Sequence, residues 1–219
     1  MTMNRISVFI SYSSAEKKIG GRFKSCLTTY CGYETFIAHD DIPGSSVWET
    51  ELLKAISQTD FFIPLISESF KNSPYSDQET GIAVYLNKKI IPIKLESVDP
   101  YGFISKYQAL QYKATPTIYF SPDNVKELVL TIAQIGLSFQ PKSTYRQKAL
   151  NSVVHAFCQS NTFEATNAII KNMLECKDFS KYHLKQITRA MKQNDQVQGA
   201  FELSALKDFL NRGYNLVID

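Results

Sequence analysis

Apolar residues recur along the first 140 positions in two alternating rhythms. Ile6-Ser7-Val8-Phe9-Ile10, Tyr33 to Ala38, Phe61 to Ile66, Ile90 to Leu95 and Thr117 to Phe120 are short runs rich in β-formers. Between them lie stretches with apolar residues at helical spacing: Ala15 to about Tyr30, Trp48 to Ser57, Ser76 or Asp77 to about Asn87, and Asn124 to Leu137. Phe61 to Ile66 is apolar on both faces, as a central strand buried on both sides requires. The region from Glu96 to Thr115 shows neither rhythm. Strands that alternate with helices in this way predict an α/β fold with a parallel sheet. Right-handed crossovers then favour a flavodoxin-like sheet of five strands with helices on both faces. Ligands of such sheets bind beyond the carboxyl ends of the strands. Those ends are Ser11–Ser14, Ala38–Ser46, Ser67–Tyr75 and Glu96–Tyr107, so function is sought in these four loops.

After Gln140-Pro141-Lys142-Ser143 the pattern becomes wholly helical, with helices expected at about 144–158, 164–176, 181–193 and 200–211. Asn161 and Glu164 approximate a capping box, and Gly213 fits a helix stop. The expected division is therefore 1–140, α/β, and 141–219, a small all-α region. Charge follows the same division. Residues 1–140 hold 13 Lys/Arg and 14 Asp/Glu, and residues 141–219 hold 11 and 7, a net of −1 against +4. The basic excess of the second part reads as a solvated helical face or a surface for an acidic partner. His155 and His183 stand alone in it, without a metal or catalytic motif.

Composition narrows the class. The chain has 219 residues, 44% of them apolar, which is enough for a packed core. A net charge of +3 is too small to mark the whole chain as a nucleic-acid binder, so nucleic acid is not an expected partner. No apolar run approaches the ~20 residues of a membrane span, and no signal-peptide pattern opens the sequence. A cytoplasmic protein with no membrane partner is expected. Cys26, Cys31, Cys158 and Cys176 lack CxxC spacing and are expected to be reduced, packed or surface thiols. Neither GxxxxGK nor GxGxxG occurs, and no HxxxH or acidic cluster suggests a metal.

The carboxyl-end loops form a set. Ile6-Ser7-Val8-Phe9-Ile10-Ser11-Tyr12-Ser13 resembles the first box of the TIR (Toll/interleukin-1 receptor) domain family, a strand ending in F-I-S-Y or F-L-S-F. His39-Asp40-Asp41-Ile42-Pro43-Gly44 resembles its second box, R-D-x-x-P-G, with His39 in place of arginine. Ser67 through Glu79 resembles S-x-x-Y/F-x-x-S-x-W-x-x-x-E, with Tyr75 where many members have Trp. The resemblance covers about residues 4–137 and does not enter the tail.

TIR domains divide into adaptors that assemble by TIR–TIR contact and enzymes that cleave NAD⁺, and the enzymes use a glutamate at the position of Glu79. The resemblance therefore implies an NAD⁺ nucleosidase or cyclase with Glu79 catalytic, NAD⁺ as substrate, and neither metal nor other cofactor. It implies substrate contacts from Ser11, Tyr12 and Ser13 in the first loop and from His39, Asp40 and Pro43 in the second. Tyr75 would stack on an aromatic ring, and Phe103 and Tyr107 would form a wall. It also implies self-association that includes the 39–46 loop. The short TIR-plus-tail layout, and the run Asp99-Pro100-Tyr101-Gly102-Phe103 before Tyr107-Gln108-Ala109, resemble prokaryotic stand-alone TIR proteins. Among these are the Thoeris antiviral type, whose product activates a separate effector.

Other readings stay open at this point. The chain could be a non-enzymatic TIR adaptor, or an effector that mimics one. It could be another nucleotide enzyme on the same sheet, such as a nucleoside deoxyribosyltransferase, although the first two boxes do not belong to that group. Glu79 could be a solvated residue in the first turns of a helix, where the dipole favours acid. Ser11 and Ser13 could be helix caps only, and Tyr75 a loop anchor.

Overall fold

The computed structural model describes residues 4–37, 48–113 and 124–215. The expected strand at Thr117–Phe120, the loop containing His39, Asp40 and Pro43, and the side chain of Trp48 lie outside the described residues. The chain divides into two compact units: one comprises Ile6–Leu27 and Glu34–Leu128, and the other includes Arg5, Thr28–Tyr33 and the chain from Val129 onward.

The first unit is a parallel sheet. Its strands are β1 (Ser7–Ser11), β2 (Glu34–Ile37), β3 (Phe61–Ile66), β4 (Lys89–Ile90), β5 (Ile93–Lys94) and β6 (Leu110–Gln111), in the order β2-β1-β3-β5-β6, with β4 paired to β3. β4 and β5 are two halves of the expected fourth strand. Ile91 and Leu95 donate to Phe62 and Ile66 on β3, but Pro92 has no N–H to give and divides the ladder. Taken as one strand, they complete the flavodoxin-like order 2-1-3-4-5. Among the described residues the edge position falls to Leu110–Gln111, inside a stretch whose sequence reads as irregular. A two-residue strand is too short to show a period of two.

The helices of this unit are α1 (Lys17–Cys26), α2 (Trp48–Gln58), α3 (Glu68–Lys71) and α4 (Pro74–Tyr85). Pro74 occupies the first turn of α4, where its missing N–H costs nothing, and Ser73 caps it by accepting from the Ser76 N–H. The helix thus begins two or three residues earlier than the apolar spacing suggests. Ser67 likewise caps α3 through the Phe70 N–H, so part of an expected loop is helical.

Side-chain alternation fixes what each face of the sheet buries. Phe9 is in register with Phe36 on β2 and Phe62 on β3. The three rings stack across the strands, with centroids 5.5 and 5.7 Å apart. Leu52 and Ile56 of α2, Phe70 of α3, Ala83 of α4 and Ile104 close over them. The intervening residues of β1, Val8 and Ile10, point to the other face. α1 packs there, because the crossover from β1 to β2 and the return from β2 to β3 run in opposite directions across the sheet.

The second unit takes up the chain within α5 (Val125–Leu137), at Val129, and continues with α6 (Thr144–Cys158), α7 (Phe163–Met173), α8 (Lys181–Gln193), α9 (Asp195–Gln198) and α10 (Leu203–Tyr214). Its fully buried apolar side chains include Leu150, Val154, Phe157, Ile169, Ile170, Met173, Ile187, Leu206 and Leu210. The guanidinium of Arg146 grips Asp178 with two N–H groups and reaches the Leu137 carbonyl with a third. Gly32 has φ +67°, and a Cβ there would fall 2.2 Å from the Ser152 carbonyl oxygen, so glycine is required twice over.

Three local expectations for this region are corrected. The cap of α7 is Thr162, one residue after Asn161, because its hydroxyl accepts from the Ala165 N–H. The capping box belongs instead to Ser180 and His183 at the start of α8. Gly213 does not stop the last helix, which ends at Asn215 in the left-handed conformation, φ 53°.

Phe9 joins both neighbouring strands and is fully buried. Phe9→Ala is expected to lower unfolding free energy by about 3–5 kcal/mol in urea titrations. A loss under 1 kcal/mol would mean that the three-ring stack does not hold the sheet.

Candidate active site

The site follows from two periodicities. Ser11 is the last residue of β1 and lies two residues after Phe9, so its side chain shares the face that carries the stacked rings. On α4, Ser76, Glu79, Thr80 and Ala83 are the buried residues, spaced i, i+3, i+4, i+7. Glu79 therefore occupies a core-facing position on the helix that covers this end of β1. The two meet: Ser11 Oγ donates to Glu79 Oε2 at 2.5 Å.

This meeting point is where the sheet order reverses. β1 lies between β2 and β3, and the chain leaves β1 toward one side and β3 toward the other. The crevice beyond β1 and β3 is the position at which open parallel sheets bind ligands. It carries a second carboxylate. Glu16, at the end of a single 3-10 turn (Ser14–Glu16), accepts from Ser67 Oγ at 2.8 Å through Oε1. Its Oε2 is buried without a hydrogen-bond partner among the described residues. Ser67 follows β3 directly, so Glu16 links the ends of the two central strands.

Burial governs the chemistry of Glu79. Only 5% of its surface is exposed, and desolvation disfavours the charged form. That pushes its carboxyl up to about 7, with the Ser11 hydroxyl acting in the opposite, lowering direction. A solvated residue near a helix N-terminus would not behave in this way. Because the folded value lies above the unfolded one near 4.5, the neutral acid is what the fold tolerates. The associated stability is complete below about pH 4.5 and is lost as pH rises through 7.

The remaining sequence candidates separate into three groups. Tyr12 and Ser13 are buried. The Tyr12 ring lies against Gly20 of α1, where a Cβ would come within 2.6 Å of it, so this side chain is a packing element. Ser13 accepts from the Ala15 N–H and caps the 3-10 turn. Tyr75 and Phe103 are solvent-facing, 62% and 75% exposed, while Tyr107 packs against the apolar cluster beneath the sheet. His39, Asp40 and Pro43 lie outside the described residues.

Two further groups escape a sequence reading. Glu16 carries no signal beyond a charged residue in a first turn. Tyr101 donates to Asp77 Oδ1 at 2.8 Å, and this bond ties the loop after β5 to the first turn of α4. Burial and the Asp77 carboxylate both raise the Tyr101 phenol, so it remains a donor. Asp77 lies 24 positions away, and no local pattern pairs the two. Among the described residues, no group of three or more His, Cys, Asp or Glu is placed to hold a metal ion. No helix among them is long and apolar enough to cross a membrane.

A family model described as the TIR domain matches residues 8–129, more than half the chain. The chain belongs to the TIR domain family. Among solved structures, it is similar to the TIR domain of the Toll-related receptor TRR-2 from Hydra magnipapillata. That match has 19% identity and a TM-score of 0.43, and covers 48% of this chain and 82% of that one. Comparison with curated proteins finds no match. The TIR match contains Ser11, Glu16, Ser67 and Glu79, and stops within α5.

Replacing Glu79 by Gln removes the ionisation and keeps the shape. Glu79→Gln and wild type are expected to have similar unfolding free energies at pH 4.5. At pH 8.5 the variant is expected to be more stable, by on the order of 3 kcal/mol for a shift of this size. Urea unfolding at a series of pH values checks this, and parallel pH profiles for the two proteins would count against a buried carboxylate.

Proposed function

We infer that this TIR domain is an enzyme that cleaves the nicotinamide–ribose bond of NAD⁺. The observation that carries the reading is Glu79, a carboxylate buried at the switch point of the sheet and held by Ser11. Burying an ionisable carboxyl against one hydroxyl is costly to the fold. A TIR adaptor, which works through its exposed surface, has no use for it, whereas a cation-forming reaction does.

The chemistry balances with one carboxylate. The C1′–N bond breaks, and its electron pair stays on the ring nitrogen, which leaves as neutral nicotinamide. No acid has to protonate the leaving group. The ribose acquires oxocarbenium character, and an ionised Glu79 in a low-dielectric pocket stabilises the charge as it develops. The pyridinium of bound NAD⁺ favours ionisation of Glu79. Water then adds at C1′ and loses a proton to give ADP-ribose, or a hydroxyl of the same nucleotide adds and gives a cyclic isomer. Ser11 positions the carboxylate. Glu16 Oε2, buried and unpartnered among the described residues, is an acceptor suited to a ribose hydroxyl. Exposed Tyr75 and Phe103 supply rings for the nicotinamide or the base.

The resemblance to Thoeris-type proteins favours a product that signals to a separate effector in antiviral defence, from a chain acting in the cytoplasm. It also favours self-association through the 39–46 loop. Activity is then expected to rise faster than linearly with protein concentration.

Nicotinamide release from NAD⁺ by the purified chain at high concentration tests the reading, with products resolved by chromatography and mass. Wild type is expected to release nicotinamide, and Glu79→Ala to lose at least 100-fold. Ser11→Ala is expected to retain partial activity, and kcat/KM of wild type to rise with pH through about 7 as Glu79 ionises. Removing the Ser11 hydroxyl takes away a lowering influence, so that variant's profile moves to higher pH. Equal release by wild type and Glu79→Ala would overturn the assignment of Glu79.

A further inference from the structure

The basic excess of the C-terminal region is concentrated on one helix face. From residue 177 to 193 the chain carries Lys177, Lys181, Lys185, Arg189 and Lys192 against a single acid, Asp178. Asp178 is already gripped by Arg146. α8 itself contains no Asp or Glu. At 100° per residue its four cations fall within roughly an 80° arc. The buried His183, Ile187, Ala190 and Met191 lie on the opposite side.

All four cations are exposed, and none forms an ion pair among the described residues. Polar contacts at this face include Arg189 Nε donating to Gln193 Oε1 at 2.7 Å and the Thr188 hydroxyl donating to the Leu184 carbonyl at 2.9 Å. Their alkyl stems, with half-buried Leu184 and Thr188, line a shallow groove of about 690 Å³ along the helix. At a rise of 1.5 Å per residue the cations step by about 6, 6 and 4.5 Å over a row of about 16 Å.

We propose that this face of α8 binds the phosphate backbone of a nucleic acid strand without regard to sequence. A row of four cations along one helix face, none of them in an ion pair among the described residues, suits a polymer that carries charge at short intervals. Gln186 and Gln193 beside the cations are neutral side chains of the kind that contact phosphate oxygens. Tyr182, 47% exposed, flanks the row near its start and offers a ring on which a base can stack. A membrane surface fits poorly, because the apolar side of α8 is already buried and cannot insert. An acidic peptide fits less well, because among the described residues the face has no large exposed aliphatic side chain, and Tyr182 alone beside the row offers a peptide a single anchor. Asp195 shares the adjoining groove with Arg189 and limits the row at its far end. The proposal does not depend on NAD⁺ cleavage.

Fluorescence anisotropy of the full chain with a labelled 20-nucleotide thymidine strand tests it. Saturable binding is expected in ~50 mM salt. Four phosphate contacts give a log K against log salt slope of about −2.8, or roughly a fifty-fold loss between 50 and 200 mM. Lys185→Glu/Arg189→Glu is expected to weaken binding at least ten-fold and to flatten the slope. Lys18→Glu/Lys113→Glu, an equal change of net charge on exposed residues elsewhere, is expected to stay within two-fold. Lys181→Gln/Lys192→Gln provides a milder pair, with an unchanged thermal midpoint as the check on folding, and is expected to weaken binding about five-fold. Tyr182→Ala is expected to weaken the single strand but not a duplex of the same length. Equal losses in the α8 and control charge reversals would overturn the site. Tighter binding of poly-glutamate or of anionic vesicles than of the strand would also overturn it, and would assign the face to an acidic protein or a lipid surface.

Discussion

The hydrogen bond between Ser11 and Glu79 is the contact that gives the first unit its chemical character. It joins the end of the central strand β1 to the covering helix α4, and places a carboxylate where the sheet order reverses. The surrounding apolar packing makes that placement possible and also makes it uncomfortable. Phe9, Phe62, Ile66, Phe70 and Ala83 exclude water beneath α4, and the same exclusion pushes the Glu79 carboxyl up to about 7. The fold thus holds its acid near the midpoint of its titration at neutral pH, and burial sets that value.

The rest of the site is arranged around this pair by bonds that bridge elements. Glu16 and Ser67 tie the ends of β1 and β3 together. Tyr101 and Asp77 fasten the loop after β5 to α4, two residues before Glu79. Lys94 Nζ closes the same loop on Asp99 at 2.5 Å, an exposed pair of small energetic value that still limits where the loop runs. Rings that face solvent, Tyr75 and Phe103, stand on these fastened segments. Positioning here depends on hydrogen bonds between elements distant in sequence, and reactivity depends on burial.

That division explains what the sequence discloses. The strand and helix periods of residues 6–66 are strong, so the parallel sheet and the pairing of β1 with its neighbours could be read from them. Glu79 was legible through the motif that begins at Ser67, and Ser11 through the strand that ends in F-I-S-Y. Glu16, Thr162 and Tyr101 were not. A glutamate in a first turn has many solvated counterparts, a threonine beside an asparagine offers two equal caps, and a tyrosine in an irregular loop has no periodic partner. The short strand at Leu110–Gln111 left no pattern for the same reason that Pro92 hid the division of its neighbour: both are settled by tertiary pairing. The charge of α8 was diluted when summed over the chain and becomes clear only when mapped onto a single helix face.

The central claim is that Glu79 is a buried acid tuned by its surroundings. A ¹³C carboxyl titration of glutamate-labelled protein, with Glu79→Gln used to assign the resonance, reads that property directly. The account predicts a resonance, missing from the variant, that titrates near pH 7 and moves upward in Ser11→Ala. A Glu79 resonance that titrates near 4.5, the value of a solvated carboxyl, would contradict it.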